Sequence, residues 1–195
     1  MKSIERYVSY LYREVIQGQA GDFDLDPDFK DTPRRVDESR RELLYGHSMT
    51  AADEIDGMFS KMFPTRHAEM LTVLDIKAAG MCPHHLLPVM YSVDFAYIPR
   101  DQVIGLSKLP RIIKILAARA VLHENLTTEI ADLFDKRLAC RGVAVIVSGF
   151  HTCMALRGVE AREATVIGSA MRGVFLNNTD NAKDEFMALR GQRKG

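Results

Sequence analysis

Two short segments carry the residues best suited to chemistry: Cys82-Pro83-His84-His85 and, far downstream, His151-Thr152-Cys153. Together they offer two thiols and three imidazoles. Thiolate and imidazole are ligands that borderline-soft Zn²⁺ prefers. A closed structural zinc site recruits four protein ligands, whereas Cys82, His85 and Cys153 make a set of three. Three ligands leave a fourth position for water, the arrangement of a catalytic zinc. His84 and His151 each lie near a ligand in sequence and are suited to moving protons near neutral pH. On spacing alone, a structural zinc site or three unrelated buried residues compete evenly with a catalytic centre. The extra imidazoles favour catalysis, because a structural site has no use for them.

A second cluster is Gly105-Leu106-Ser107-Lys108-Leu109-Pro110-Arg111, at the start of a predicted helix. Helix N-termini attract anions through free backbone N–H groups and the macrodipole. Ser107, Lys108 and Arg111 could therefore hold phosphate oxygens, although taken alone a solvated helix start explains them better. Arg157 adds a cation close to the presumed metal, and Arg34 and Arg35 add more. Glu124 sits in Leu122-His123-Glu124-Asn125-Leu126 on a predicted helix. Such a Glu is ordinarily solvated, but in a pocket it would accept two hydrogen bonds from an amidine-like edge such as that of guanine.

The elements that must position these residues form one sizeable domain with a small N-terminal appendage, since the chain has 195 residues, 47% of them hydrophobic. Charges balance at 26 basic and 26 acidic residues. No global field recruits nucleic acid or an anionic membrane, so an anionic substrate must meet a local cluster of cations. Three cysteines argue against a disulfide framework and for a reducing compartment. With no leader pattern and no long apolar run, the expectation is a soluble, cytoplasmic protein.

Apolar spacing predicts a helix over 2–18 and a loop over 21–29. Thr32-Pro33 opens a second helix as N-cap and first helical residue, and Gly46 ends it. Residues 47–68 give no clear pattern. Residues 69–78 and Val89–Ile98 read as strands flanking the Cys-His segment. Two helices follow, marked by Ile112, Ile113, Leu116 and Ala117, then by Leu122, Leu126, Ile130 and Leu133. Gly142–Val147 and Thr165–Phe175 read as strands, and Phe186 and Leu189 mark a final helix. This order fits α+β with antiparallel pairs. Cys140 reads as a small buried residue, and the methionines as core filling.

Several segments, in order, resemble the GTP cyclohydrolase I family. They are Asp31-Thr32-Pro33-Arg34-Arg35-Val36, Cys82-Pro83-His84-His85-Leu86-Leu87-Pro88, Ala96-Tyr97-Ile98-Pro99, Val103-Ile104-Gly105-Leu106-Ser107-Lys108-Leu109, and a last stretch running from His151-Thr152-Cys153-Met154 through Arg157-Gly158-Val159 to Ser169-Ala170-Met171-Arg172-Gly173-Val174-Phe175. The resemblance implies a tunnelling fold, a four-stranded antiparallel sheet with two helices between its strand pairs. The catalytic domain would span 69–195, after a helical region over 1–68. It further implies a homodecamer of two stacked pentameric rings, with active sites at subunit interfaces. The implied reaction converts GTP and water into dihydroneopterin triphosphate and formate, in folate or pterin biosynthesis.

By the same resemblance, Cys82, His85 and Cys153 match zinc ligands. His84 and His151 match the residues that protonate the opening ring and the leaving nitrogen. Ser107 matches a position at the ribose and phosphates. Lys108, Arg111 and Arg157 match triphosphate-binding positions, with Arg35 reaching in from a neighbouring subunit. Glu124 matches the guanine-reading carboxylate, and His123 stands where the family usually has a Gln acting at the base or sugar.

The chain departs from the family pattern at several points, as a somewhat divergent member. His123-Glu124-Asn125 replaces Gln-Glu-Arg, Pro83 replaces a Glu, and Glu160–Ala164 is unusually acidic. A glycine is missing between Tyr91 and Phe95. His123 and Asn125 motivate one alternative, a paralogue hydrolysing another purine nucleotide or stopping at the ring-opened formamidopyrimidine; a silent nucleotide-binding subunit is a further alternative, against which the full set of His84, His151, Cys82, His85 and Cys153 argues.

Overall fold

The computed structural model describes residues 31–192, so the helix expected at 2–18 and the loop at 21–29 lie outside the described residues. The chain divides into two units between Leu43 and Leu44. The described part of the first is helix α1, Thr32–Leu43. It starts one residue earlier than the sequence suggests: Thr32 is already helical, and Asp31 C=O accepts the Arg35 N–H at 3.1 Å. Arg34 spends its charge on its own helix, bonding Glu38 one turn away at 2.8 Å. Arg35 is exposed.

The second unit begins with a 3₁₀ turn, Tyr45–His47, that holds Gly46. A Cβ on Gly46 would meet Ile115 O at 2.0 Å, so close backbone approach is what requires glycine there. Helix α2, Met49–Phe59, and the short strand β1, Met62–Pro64, fill the stretch that gave no clear pattern. Ser48 caps α2 by accepting the Ala51 N–H at 3.1 Å. Then come β2, Leu71–Met81, β3, Pro88–Ile98, and β4, Gln102–Ile104. Helix α3 is Lys108–Ala117 and α4 is His123–Leu138. Strand β5, Gly142–His151, runs into the one-turn helix α5, Thr152–Ala155. Strand β6, Val166–Gly173, and helix α6, Ala182–Gly191, complete the unit.

The four long strands form one antiparallel sheet in the order β2-β3-β5-β6, and β1 pairs with β4 in a separate ribbon. Both helices α3 and α4 fall between β3 and β5 in sequence. They pack on one face, α3 against β2 and α4 against β5 and β6. Strand alternation supplies that face. Val89, Tyr91, Val93, Phe95 and Tyr97 of β3, with Val143, Val145 and Val147 of β5, join Ile112, Leu126, Ile130 and Phe134 in the main core. The alternate residues Ala96, Ile98, Ala144 and Ile146 meet Phe175 and Phe186 in a smaller cluster on the other face. Cys140 is buried just before β5, and burial pushes its thiol up to about 11.

Candidate metal centre

Sheet register closes the sequence gap between the two Cys-His segments. Met81 pairs with Pro88, and Val89 pairs with His151. The loop leaving β2 and the end of β5 are thus neighbours across the start of β3. The loop itself is a tight turn: Leu86 N–H donates to Cys82 O at 2.8 Å, and Cys82 N–H donates to Leu87 O at 2.9 Å. Pro83 suits such a turn, since its ring fixes φ and no donor is needed there. On the other side, α5 turns the chain back immediately after His151. Thr152 Oγ1 donates to Pro88 O at 2.6 Å and ties that turn to β3.

The ligand atoms of Cys82, His85 and Cys153 lie within 4.8 Å of one another. Cys82 Sγ is 3.6 Å from His85 Nδ1 and 3.8 Å from His84 Nδ1. Cys82 is buried, Cys153 is half-buried and His85 is exposed. Burial and the neighbouring Cys82 sulfur push the Cys153 thiol up, with the Arg157 charge opposing. Two adjacent sulfurs resist joint ionisation unless a cation sits between them. Two thiols and an imidazole at this separation therefore fit a divalent, thiophilic metal such as zinc.

The triangle opens into a cleft of about 320 Å³, lined also by His84, His123, Glu124 and His151. Its far wall is placed by backbone: Met81 N–H donates to Arg119 O at 3.0 Å, which sets residues 121–124 beside the Cys-His-Cys triangle. Burial lowers the pKa of His151, and the nearby His123 lowers it further. Burial likewise lowers that of His123, only 6% exposed. Tyr91 lies against both imidazoles, its ring centroid 5.8 Å from that of His123 and 6.4 Å from that of His151. Its hydroxyl is buried without a hydrogen-bond partner among the described residues, and burial beside Cys82 and Cys153 pushes it up to about 12.

The structure thus brings together Cys82, His84, His85, His123, Glu124, His151 and Cys153. Ser107, Lys108 and Arg111 do not line this cleft. Ser107 is exposed and makes no side-chain cap to α3. Lys108 Nζ donates to Met58 O at 3.0 Å and Lys61 O at 2.8 Å, bracing the end of α2. Arg111 and Arg157 are exposed. Tyr91, Gly149 and Gly168 escaped the sequence reading, since none is a chemically conspicuous type.

With this geometry in place, comparison with known proteins is decisive. The sequence model described as GTP cyclohydrolase I matches residues 11–190. The chain belongs to the GTP cyclohydrolase I family. The GTP cyclohydrolase 1 of Chromohalobacter salexigens is 36% identical over 178 residues, 91% of this chain and 94% of that protein. The GTP cyclohydrolase 1 1 of Pseudomonas aeruginosa is 35% identical over 187 residues, 96% of this chain and 98% of its own. That of Carboxydothermus hydrogenoformans is 40% identical over 172 residues, 86% and 87% of the two chains. The four-stranded antiparallel sheet, with two helices between its strand pairs, is the tunnelling fold of this family. Among the described residues, no helix is long and apolar enough to cross a membrane.

Proposed function

We propose that Cys82, His85 and Cys153 hold Zn²⁺, and that the adjoining cleft binds GTP for the GTP cyclohydrolase I reaction, giving 7,8-dihydroneopterin triphosphate and formate. The observation that carries the reading is the meeting of this ligand triangle with His84, His151 and Glu124 in a single cleft. Zinc bound there would supply a water activated near neutral pH for attack at C8 of the purine.

The chain's own groups do the rest. The exposed Glu124 carboxylate accepts hydrogen bonds from guanine N1–H and the 2-amino group, a pairing that rejects bases lacking those donors. His151 and His84 deliver protons to the opening imidazole ring and to the leaving nitrogen as general acids. Ser107 contacts the ribose and phosphate region. Lys108, Arg111 and Arg157 bind the triphosphate, with Arg35 supplied by a neighbouring subunit. That placement explains how a chain of zero net charge holds a polyanion.

The catalytic domain is assigned to 69–195 and the helical region to 1–68. The enzyme is cytoplasmic and works as a homodecamer. Strands β2 and β6 are the two edges of the sheet, which a ring of subunits would pair. Sedimentation near ten subunits supports this assembly, and a stable active monomer refutes it.

One observation favours a second reading. His123 stands where the family usually has Gln, beside His151, so proton delivery after the first hydrolysis could differ and leave a ring-opened formamide. Metal analysis tests the zinc assignment directly. One Zn²⁺ per chain, lost in Cys153→Ala together with turnover of GTP, is expected. Full zinc retention in that variant overturns the ligand set.

A further inference from the structure

We propose that His123 is a positioning residue that fixes the tautomer and orientation of His151. The inference rests on the reading above that His151 moves a proton. His123 Nε2 lies 3.1 Å from Val147 O. A carbonyl can only accept, so Nε2 carries a hydrogen. His123 Nδ1 faces His151 Nε2 at 3.4 Å. In a neutral imidazole with a protonated Nε2, Nδ1 is an acceptor, and His151 Nε2 must be the donor. The chain of bonds therefore runs from His151 Nε2–H to His123 Nδ1, and from His123 Nε2–H to Val147 O. It leaves Nδ1 as the basic nitrogen of His151.

The fold is built to hold His123 in this state. The residue opens α4, where unpaired N–H groups and the helix dipole disfavour a cation. Two glycines of the sheet leave room for its ring. A Cβ on Gly149 would come within 2.8 Å of His123 Nδ1, and one on Gly168 within 3.2 Å of His123 Cδ2. Thr127 Oγ1 donates to His123 O at 2.9 Å and packs over Gly168, where a Cβ would meet that oxygen at 2.8 Å. With both ring nitrogens engaged by protein, His123 has little capacity left for a substrate base.

The test uses the zinc-loaded enzyme and GTP, with His123→Ala, His123→Gln and Gly149→Ala. Gly149→Ala keeps both imidazoles and removes only the space that lets them meet. Long-range ¹H–¹⁵N correlation spectra of selectively labelled His should show His151 as the Nε2–H tautomer in the wild type. They should show a mixture in His123→Ala and Gly149→Ala. In both variants kcat should fall by about 10- to 100-fold, a part of what acid–base catalysis contributes, with KM for GTP within about twofold. His123→Gln, whose amide can still accept from His151, should recover most of kcat. An unchanged His151 tautomer in His123→Ala overturns the inference, as does a raised KM at constant kcat, which would make His123 a substrate contact. If His151→Ala leaves kcat intact, the role given to His151 fails instead, and the spectra show whether the His123–His151 bond survives that failure.

Discussion

Arg190 Nε donates to Asp94 Oδ2 at 2.8 Å, joining the last helix to the middle of β3. Asp94 is 1% exposed, and its other oxygen accepts the Asp75 N–H at 2.9 Å. Asp75 sits at the register shift in β2, with φ of 61°, so one buried carboxylate secures both the bulge and α6. Removing Arg190 takes one charge-assisted hydrogen bond from that buried carboxylate. Arg190→Met should destabilise the protein by about 1.5–3 kcal/mol, the range for a hydrogen bond to a charged group, read as a lowered denaturation midpoint with an unchanged denaturant slope. A loss below about 0.5 kcal/mol would mean that the pair behaves like an exposed one.

The two thiols at the metal centre predict a coupling between metal and stability. Chelation should lower the melting temperature, because folded-state ligation contributes to folding. Cys82→Ala should remove both the chelator-sensitive increment and the activity. A chelator shift that persists in Cys82→Ala would place the metal elsewhere.

Lys108 is tied to two carbonyls at the end of α2 and is also assigned to the triphosphate. Lys108→Met should therefore show two effects. Stability should fall by about 1.5–3 kcal/mol, the range for hydrogen bonds to a charged group. KM for GTP should rise about tenfold, as expected when about 1.4 kcal/mol of ground-state binding is lost. A stability loss with unchanged KM would make Lys108 purely a brace.

Burial lowers the pKa of His123 below its ordinary 6.5. The unfolded chain then binds more protons than the folded one between the lowered value and 6.5, so stability rises with pH across that window. It is lost progressively as pH falls below 6.5. His123→Gln has no such group. Denaturation midpoints of wild type and variant, taken at pH 7.5 and pH 5.5, should move against the wild type at the lower pH. Comparing the two proteins cancels the metal's own pH dependence. Equal shifts would mean that His123 is not buried neutral.

The Cys82, His85 and Cys153 cluster was legible because residue type and spacing carry it: a thiophilic metal site would need sulfur and imidazole whatever the fold. The long strands and α3, α4 and α6 followed from apolar periodicity. Helix α2 did not, although Ser48, Ile55, Met58 and Phe59 hold a cap and an apolar stripe. Its neighbour β1 is three residues long and exists only because β4 pairs with it from far along the chain. The His123–His151 contact was equally hidden. It depends on strand register, on an α4 start fixed by the Met81–Arg119 bond, and on two glycines whose role is only space.

The most direct test of the account is to incubate the zinc-loaded protein with GTP and identify the products by mass spectrometry, with formate measured in parallel. Dihydroneopterin triphosphate and formate in equal amounts are the predicted result. A ring-opened formamide without formate would show that the chemistry halts after the first hydrolysis, and unchanged GTP would contradict the assignment altogether.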